Sequence, residues 1–302
     1  MFKVSFQSYA RSFTVPLKTY HGVWSVREGI IVALMDEQGQ VGLGEIAPLP
    51  WFGSETMEEA IGFLTGLGGV IEDWRTVPDS LACCQFAFEM AIVPPAPPVE
   101  GEREGLERRD TGRLFAELLP AGIGALTQWE DLYAIGARSF KWKIGTADIA
   151  DELEVFKDLC DRLPHDASLR LDANGGLSLI EARRWLEECD RQHCVEFLEQ
   201  PLGIEYFDDL LTLSHEFATL LALDESIATS TQLEDCYARG WRDVFVIKPA
   251  IAGYPSRLEK FCSQHSIDRV FSSVFESSVG FQNALQVANS IGSDRALGFG
   301  TA

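Results

Sequence analysis

The feature that most constrains the fold is a repeat of strand-like and helix-like segments in the C-terminal half of the chain. Short apolar segments typical of β-strands alternate there with segments that have the apolar periodicity of amphipathic helices. Such repeats predict a parallel sheet with right-handed crossovers. Their number, and the lack of a phosphate-type Gly-rich loop after the first strand, favour a closed (β/α)8-type TIM barrel over a doubly wound sheet. The predicted strands are residues 140–144, 168–172, 195–199, 220–224, 244–248 and 270–273.

Each predicted strand carries a chemically capable side chain at or near its carboxyl end. These residues follow one another at intervals of 29, 27, 25, 24 and 25 residues, which is about one strand–helix unit. The carboxyl ends of barrel strands form the active site of such folds, so we expect the six side chains to converge. A single Asp at the end of a strand is commonly explained as the N-cap of the next helix. Helix capping does not explain six chemically capable residues that are all spaced by one strand–helix unit. They are Lys143, Asp172, Glu199, Asp224, Lys248 and Ser273.

Three of these strand ends carry carboxylates: Asp172, Glu199 and Asp224. Ligands that offer only oxygen favour a hard divalent cation, Mg²⁺ or alternatively Mn²⁺, with the remaining positions left to water or substrate. No histidine lies at these positions in the sequence, which argues against zinc. The spacing therefore predicts a magnesium site at the barrel mouth.

Two lysines flank this arc of carboxylates, Lys143 before it and Lys248 after it. Alternation along residues 139–145 also places Lys141 on the face of Lys143, a pattern that by itself is typical of a solvated strand face. A lysine acts as a base near neutral pH only if its pKa falls, and burial, a neighbouring ammonium and a divalent cation all act in that direction. The combination suits removal of a proton next to the carboxylate of a small-molecule substrate, with the cation and the second lysine stabilising the enediolate.

The N-terminal segment has a different pattern and predicts a separate α+β domain. Residues 1–50 read as antiparallel strands, and a capping box of Thr56 and Glu59 opens a helix to about residue 72. A second helix is predicted at 80–92, and two further capping boxes, Ser178 with Glu181 and Thr231 with Glu234, are predicted within the barrel. We expect a capping domain over 1–95, a barrel domain over 96–302, and a Pro-rich and charged linker or mobile loop at 94–113.

Composition excludes several classes of partner. A net charge of −21 argues against general affinity for nucleic acid or anionic membranes, and no stretch is apolar for long enough to span a membrane. The seven cysteines include no Cys-x-x-Cys, and the N-terminus lacks the apolar run of a signal peptide. We therefore expect reduced thiols and a cytoplasmic protein. The oligomeric state stays open, with a monomer as the preferred expectation.

The motifs at the strand ends resemble those of the muconate-lactonizing subgroup of the enolase superfamily, whose members use Lys or His bases with Mg²⁺. This resemblance covers almost the whole chain and implies a capping domain packed on a TIM barrel. It also implies that Asp172, Glu199 and Asp224 bind the metal. The matching motifs are Lys141-Trp-Lys143, Asp172-Ala-Asn-Gly-Gly176, Glu199-Gln-Pro-Leu202, Asp224-Glu-Ser226 and Ile247-Lys-Pro-Ala250.

Residues 44–50, 171–178 and 272–280 narrow the resemblance within the subgroup. They are most similar to enzymes that dehydrate a succinyl-bearing cyclohexadiene carboxylate to an aromatic product in menaquinone or phylloquinone biosynthesis. The resemblance implies a metal-dependent lyase in which Lys143 removes the α-proton and then protonates the departing hydroxyl. It assigns to Lys248 the stabilisation of the enediolate from the opposite face.

Other residues are candidates for supporting roles. Asn174 and Glu225 are expected to orient metal ligands or water, although Asn174 also fits a turn before two glycines. Arg170 either points into the site or holds a carboxylate, and Lys141 either binds the substrate carboxylate or tunes Lys143. Ser273 and the backbone after residue 278 are candidates for holding the succinyl carboxylate.

A loop of the capping domain is expected near the site. Its aromatic residues Trp51 and Phe52 either lie over the site or pack at the domain interface. At the other end, the chain stops directly after a predicted last strand at 295–298, whereas family members usually continue with a tail that packs on the capping domain.

Two competing functions stay open. One is another enzyme of the same subgroup, an N-succinylamino acid racemase, a dipeptide epimerase or a cycloisomerase, because lysines on both faces also suit racemisation. The other is a noncatalytic barrel that binds a metal or a partner. This alternative is less favoured, because it does not explain why two lysines accompany the three carboxylates.

Overall fold

The N-terminal part is a four-stranded antiparallel sheet with two helices. The computed structural model describes residues 1–19, 22–93 and 115–300. The sheet has the order β3-β2-β1-β4. Its elements are β1 (Phe2–Thr19), β2 (Gly22–Met35), β3 (Val41–Ile46), α1 (Met57–Gly66), β4 (Val70–Ile71) and α2 (Ala82–Ile92).

Helix α2 packs on the sheet through a close approach of backbone to backbone. Ile30, Val32 and Leu34 alternate along β2 and are buried on the side of the core. On β3, a Cβ atom at Gly42 or Gly44 would collide with the carbonyl oxygen of Ala91 or Ala87. Glycine at these two positions therefore lets the helix approach the sheet closely.

The C-terminal part is the predicted barrel. Eight parallel strands have the order β11-β10-β9-β8-β7-β6-β5-β12, and a bridge between Ser272 and Gly298 joins the two edges. The strands are β5 (Phe115–Leu119), β6 (Ser139–Lys143), β7 (Ser168–Asp172), β8 (Val195–Glu199), β9 (Leu221–Leu223), β10 (Val244–Ile247), β11 (Arg269–Phe271) and β12 (Leu297–Gly300). The fold class predicted from the sequence is confirmed.

Helices connect the successive strands and cover the outside of the barrel. They are α3 (Ala125–Ala134), α4 (Ile149–Arg162), α5 (Leu179–Cys189), α6 (Phe207–Glu216), α7 (Ser230–Ala238), α8 (Pro249–Ala252), α9 (Pro255–Gln264) and α10 (Ser278–Ile291). Short 3₁₀ helices lie at Pro50–Phe52, Trp74–Thr76, Gly122–Gly124, Ile204–Tyr206 and Glu225–Ile227.

Alternation along β6 decides which side chains reach the barrel interior. Phe140 and Trp142 are fully buried, and the Trp142 ring lies 6.3 Å from that of Trp185 on α5, centroid to centroid. They pack outward against the helices, so the intervening Lys141 and Lys143 point inward. Below them the interior is closed by a cluster of apolar side chains: Phe197, Ala222, Val244, Val246 and Val270.

Two predicted element boundaries are wrong. Helix α1 ends at Gly66 rather than near residue 72, because Gly68 and Gly69 take positive φ angles of 62° and 85° and turn the chain into β4. The capping boxes at Thr56 and Ser178 are present, but the one at α7 uses Thr229 with Gln232 instead of Thr231 with Glu234. Thr229 has the extended backbone of an N-cap, and Glu234 binds Arg257 of α9 instead.

Two further expectations concern the linker between the domains and the lack of a membrane-spanning stretch. The predicted linker at 94–113, with the domain boundary at 95/96, lies outside the described residues. Within the described ranges, none of the helices combines the length and the apolar character needed to cross a membrane.

Candidate active site at the barrel mouth

Strand register brings the predicted catalytic and metal-binding residues together. Lys143 of β6 lies level with Asp172 of β7, which in turn lies level with Glu199 of β8. Asp224 directly follows β9 and Lys248 directly follows β10. The three carboxylates are at most 6% exposed and Lys248 is 8% exposed. Residues separated by up to 105 positions in sequence, from Lys143 to Lys248, therefore share one buried end of the barrel.

Lys141 neutralises two of the carboxylates. Its Nζ atom lies 2.8 Å from Oδ2 of Asp172 and 2.8 Å from Oε1 of Glu199. Burial alone would lower the pKa of Lys141, but the two carboxylates outweigh burial and raise it. Burial alone would raise the pKa of Asp172, but the charges of Lys141 and Lys143 outweigh burial and lower it. Burial raises the pKa of Glu199, although Lys141 opposes the increase. Lys141 is therefore held as a cation between Asp172 and Glu199.

Lys248 neutralises the third carboxylate from the other end of the arc. Its ammonium contacts Oδ1 of Asp224 and lies 4.1 Å from the ring centroid of Phe52. Burial, with the positive charge of Lys141 acting in the same direction, lowers the pKa of Lys248 to about 7 even though Glu199 opposes it. The ring of Phe52 also places the capping-domain loop over the site, one of the two arrangements expected for it.

The donor set fits a hard divalent cation. As the side chains stand, the described ranges contain no group of three or more His, Cys, Asp or Glu that could hold a metal ion. The carboxylates of Asp172, Glu199 and Asp224 are instead engaged by the ammonium groups of Lys141 and Lys248. Three buried carboxylates with oxygen donors alone are the ligands that Mg²⁺ prefers. A cation would replace positive charge that the two lysines now supply.

Asn174 and Glu225 lie together next to the carboxylates. The Asn174 side chain donates to Oε1 of Glu225 at 3.0 Å, and its backbone N–H donates to Oδ1 of Asp172 at 3.0 Å. Asn174 has a φ of 45°, a conformation that Asn tolerates in tight turns. Asn174 therefore makes the expected turn and also links Asp172 to Glu225, and its role in orienting metal ligands or water stays a prediction. Among the described residues, Oδ1 of Asn174 and Oε2 of Glu225 are buried without a hydrogen-bond partner.

Gln200 is a supporting residue that the sequence did not reveal. It is fully buried, and its Oε1 accepts from the backbone N–H groups of Asp224 and Ser226. Its Nε2 donates to the carbonyl of Leu202 and to the hydroxyl of Ser226. One side chain therefore ties the residue after Glu199 to the segment that carries Asp224. In the sequence, Gln200 is marked only by its place in the Glu199-Gln-Pro-Leu202 motif. Two of the residues that it bonds, Asp224 and Ser226, follow a different strand, β9.

Glu152 supports the end of strand β6, which carries Lys143, in a similar way. This residue of α4 is 3% exposed and accepts the backbone N–H groups of Gly145, Thr146 and Ala147 at 2.8 to 3.0 Å. These residues follow Lys143 and form the turn that leaves the strand. In sequence Glu152 looks like an ordinary acidic residue in the first turn of a helix.

Two family models match this chain, one in its C-terminal part and one in its N-terminal part. Residues 125–298 match the family model of the enolase C-terminal domain-like fold, and residues 11–92 match that of the MenC N-terminal domain. The o-succinylbenzoate synthase of Thermosynechococcus vestitus is 36% identical, over 97% of this chain and 90% of that protein. The chain belongs to the o-succinylbenzoate synthase family of the enolase superfamily.

Solved structures and a more distant relative are also similar to this chain. The crystal structure of the o-succinylbenzoate synthase from Thermosynechococcus elongatus BP-1, complexed with Mg in the active site, has a TM-score of 0.89 and 34% identity, covering 99% of this chain and 93% of that one. The o-succinylbenzoate synthase of Salmonella arizonae is 28% identical over 87% of this chain and 79% of that protein. The L-Ala-D/L-Glu epimerase of Bacillus subtilis shares the fold, with a TM-score of 0.78, 21% identity, and coverage of 98% and 88%.

Arg170 does not join the cluster at the mouth. It lies two residues before Asp172 on β7, and its guanidinium binds Glu196 at 2.7 and 3.1 Å and the carbonyl of Ala296 at 2.9 Å. It also lies over the Phe197 ring, within the apolar interior of the barrel. Of the two expected arrangements, it therefore holds a carboxylate, and this carboxylate belongs to the protein.

The start of α10 is occupied by a carboxylate of the capping domain. Glu45 of β3 accepts the backbone N–H groups of Ser277, at 2.8 Å, and Gly280, at 2.9 Å, and also contacts the Ser277 hydroxyl. The Ser273 hydroxyl donates to Glu276 at 2.8 Å. The expectation that the backbone after residue 278 holds a substrate carboxylate is therefore wrong for Gly280, because Glu45 already takes that place.

Proposed function

We propose that this protein is an o-succinylbenzoate synthase, a Mg²⁺-dependent dehydratase. It would convert 2-succinyl-6-hydroxy-2,4-cyclohexadiene-1-carboxylate to o-succinylbenzoate in menaquinone or phylloquinone biosynthesis. The observation that carries the proposal is the arc of Asp172, Glu199 and Asp224 between Lys143 and Lys248, in a chain 36% identical to a synthase of this name.

Asp172, Glu199 and Asp224 would hold the Mg²⁺ ion, or Mn²⁺ in its place. Their burial and their oxygen donors support this role. When bound, the cation supplies positive charge that favours loss of a proton next to the substrate carboxylate. Lys141 would keep the pair of Asp172 and Glu199 from repelling each other, and it is also a candidate contact for the substrate carboxylate.

The two lysines at the ends of the arc would divide the work of the elimination. Lys143 takes the α-proton from the carbon that bears the carboxylate, and the electron pair of that C–H bond enters the enediolate. Lys248 stabilises the enediolate charge in its ammonium form, which a pKa of about 7 leaves partly populated at neutral pH. The Lys143 ammonium then gives its proton to the departing hydroxyl, which leaves as water while the ring becomes aromatic.

Racemisation or epimerisation by the same site is the second candidate function. Strands β6 and β10 lie on opposite sides of the three strands that end in or precede the carboxylates, so Lys143 and Lys248 approach from two directions. Two bases on opposite faces are what inversion of an α-carbon requires. The dehydratase is preferred because the synthases match at higher identity than the epimerases do.

A direct assay separates these functions. The purified protein with Mg²⁺ should form o-succinylbenzoate from its cyclohexadiene precursor, EDTA should abolish the activity, and Mg²⁺ or Mn²⁺ should restore it. Incubation with N-succinylamino acids and with dipeptides in D₂O tests the second candidate, since racemisation or epimerisation incorporates deuterium at the α-carbon. Deuterium incorporation without dehydration would favour the second candidate, and no turnover of any substrate would favour a noncatalytic barrel.

The cellular setting follows from the thiols. All seven cysteines are free, and six of them are buried. Free thiols suit a reducing compartment, so we propose the cytoplasm. A small-molecule carboxylate is the expected ligand, and the monomer remains the expected state.

A further inference from the structure

Two cysteines face each other at the end of the barrel opposite the active site. Cys160 lies near the end of α4, and Cys194 directly precedes β8. Their Sγ atoms are 2.7 Å apart, and the residues are 1% and 2% exposed. Neither residue takes part in the proposed reaction.

This geometry is close to that of a disulfide. A disulfide bond is about 2.05 Å long, so closing it requires the two sulfur atoms to move together by less than about 1 Å. The backbone on the Cys194 side is anchored, because its carbonyl accepts the N–H of Leu169 at 2.7 Å. Cys160 is anchored by α4, whose buried residues Phe156 and Leu159 pack into the core. The fold itself therefore holds the two thiols in place for bonding.

The surroundings also favour reaction of one thiol. The contact with Cys160 lowers the pKa of Cys194, which increases its thiolate fraction. Cys194 follows the turn 190–193, whose last residue, His193, is exposed and has its ring centroid 5.0 Å from that of exposed His165, with the two rings tilted by 39°. Local opening of this surface turn would give a small oxidant access to the sulfur.

We propose that Cys160 and Cys194 form a reversible redox pair, which closes to an intramolecular disulfide on exposure to a hydroperoxide. The Cys194 thiolate attacks the peroxide, forming a sulfenic acid and releasing water or an alcohol. The Cys160 sulfur then displaces the sulfenic oxygen, which leaves as a second water. Two thiols are oxidised to one disulfide, the peroxide bond is reduced, and a dithiol reductant reverses the change.

The disulfide would act on stability and leave catalysis intact. It would join α4 to the start of β8, at the amino-terminal end of the barrel strands, where residues contribute to stability rather than to catalysis. A cross-link between positions 34 apart in sequence also restricts the unfolded chain. The oxidised protein should therefore unfold at a higher temperature and keep its turnover.

The test compares the full chain with three variants after treatment with stoichiometric hydrogen peroxide. The wild type should lose two of its seven titratable thiols and the mass of two hydrogen atoms. Peptide mapping should find Cys160 joined to Cys194, and the melting temperature should rise by roughly 5 °C and fall back with dithiothreitol. Cys160→Ser and Cys194→Ser should show none of these changes. Cys236→Ser, which alters a buried cysteine on α7, should behave like the wild type.

Several outcomes would overturn the proposal. They are retention of all seven thiols by the wild type, a disulfide that involves another cysteine such as Cys189, and oxidation to sulfinic acid without a cross-link. If the serine variants fail to fold, the mapped cross-link in the wild type alone still decides the question. The result does not depend on the proposed enzymatic function, because the readouts are thiols, mass and melting temperature.

Discussion

At the scale of single residues, two lysines on one strand have different surroundings. Lys141 bridges Asp172 and Glu199 at 2.8 Å, whereas Lys143 lies at the end of β6, level with Asp172. Burial of a charge is tolerated where partners compensate it, and Lys141 has two. This arrangement favours Lys141 as a permanent cation and leaves Lys143 as the candidate for proton transfer.

Replacement of Lys143 by alanine tests this division. Lys143→Ala should lower kcat for o-succinylbenzoate formation by about 10³-fold or more, because a positioned acid–base residue supplies an effect of that order. The fold and the affinity for Mg²⁺ should be retained, as measured by circular dichroism and calorimetry. Lys157→Ala, at a half-exposed lysine on α4 that pairs with Glu188, is the matched control. Turnover of Lys143→Ala near the control value would remove Lys143 from the reaction.

Replacement of Gln200 by alanine tests whether this buried amide positions the metal ligands. The variant loses the acceptor for the N–H groups of Asp224 and Ser226, so the strand end that carries Asp224 should become less well ordered. We expect a 10- to 100-fold weaker affinity for Mg²⁺, measured by calorimetry, as is typical for residues that orient metal ligands. Gln192→Ala, in the turn before β8, should bind Mg²⁺ like the wild type. Unchanged affinity in Gln200→Ala would assign Gln200 a purely structural role.

At the scale of elements, buried carboxylates fasten the loops and helix ends around the mouth. Glu152 holds the turn after β6, Glu55 accepts the first N–H groups of α2, and Glu45 accepts those at the start of α10. An unpaired N–H at a helix start is costly when it is buried, and a negative charge there also suits the helix dipole. Glu45 comes from the other domain, so capping a helix here also fixes the capping domain on the barrel.

Glu45→Ala should therefore destabilise the protein strongly. It leaves buried donors on Ser277 and Gly280 without an acceptor and removes the partner of the Tyr9 hydroxyl. We expect a loss of about 3–5 kcal/mol in the free energy of unfolding, measured with urea. Tyr9→Phe removes only one of these hydrogen bonds and should cost about 1 kcal/mol. Equal losses in the two variants would contradict a capping role for Glu45.

A second contact between the domains should depend on pH. Glu89 of α2 is 7% exposed and accepts from the backbone and the hydroxyl of Ser256 on α9, at 3.0 and 3.1 Å. Burial raises the pKa of Glu89 above its usual 4.5, although the Ser256 hydrogen bonds oppose the increase. The folded protein therefore holds this proton more tightly than the unfolded chain does. The contribution of Glu89 to the free energy of unfolding is therefore fully present below pH 4.5 and is lost as pH rises through the raised pKa.

The variant Glu89→Gln removes this titration. Relative to the wild type, its free energy of unfolding should increase between pH 4 and pH 8, because only the wild type loses stability as Glu89 ionises. Urea unfolding at several pH values measures the difference, with Glu58→Gln on the exposed side of α1 as the control. A constant difference across this pH range would show that Glu89 does not titrate as described.

At the scale of the whole molecule, a strongly acidic chain concentrates cationic side chains where its carboxylates are buried. The net charge is −21, yet Lys141, Lys143 and Lys248 stand at one end of the barrel beside three carboxylates. Two of these lysines, Lys141 and Lys248, contact the carboxylate oxygens that would hold the cation, so the lysines and a divalent cation compete for the same oxygens. Binding of a divalent cation should therefore release the carboxylates from Lys141 and Lys248.

Mg²⁺ should therefore stabilise the folded protein. At about 100 times its Kd, a ligand that binds only the folded state adds about 2.7 kcal/mol, which should raise the melting temperature by a few degrees over that in EDTA. Mn²⁺ should act in the same way, and Glu199→Gln should lose most of the shift. A melting temperature that is the same in saturating Mg²⁺ and in EDTA would exclude this metal site.

Sequence patterns alone were sufficient to predict the barrel, the capping domain and the barrel end at which Lys143, Asp172, Glu199, Asp224 and Lys248 lie. Strand and helix periods are local, and in a parallel barrel the strand ends must meet, so Asp172, Glu199 and Asp224 followed from spacing alone. The tertiary structure decided the partners: Lys141 bridges two carboxylates, Arg170 holds Glu196, Gln200 fastens the Asp224 segment, and Glu45 caps α10. These contacts join residues far apart in sequence, and which polar group meets which depends on side-chain direction and domain packing, which no local pattern encodes.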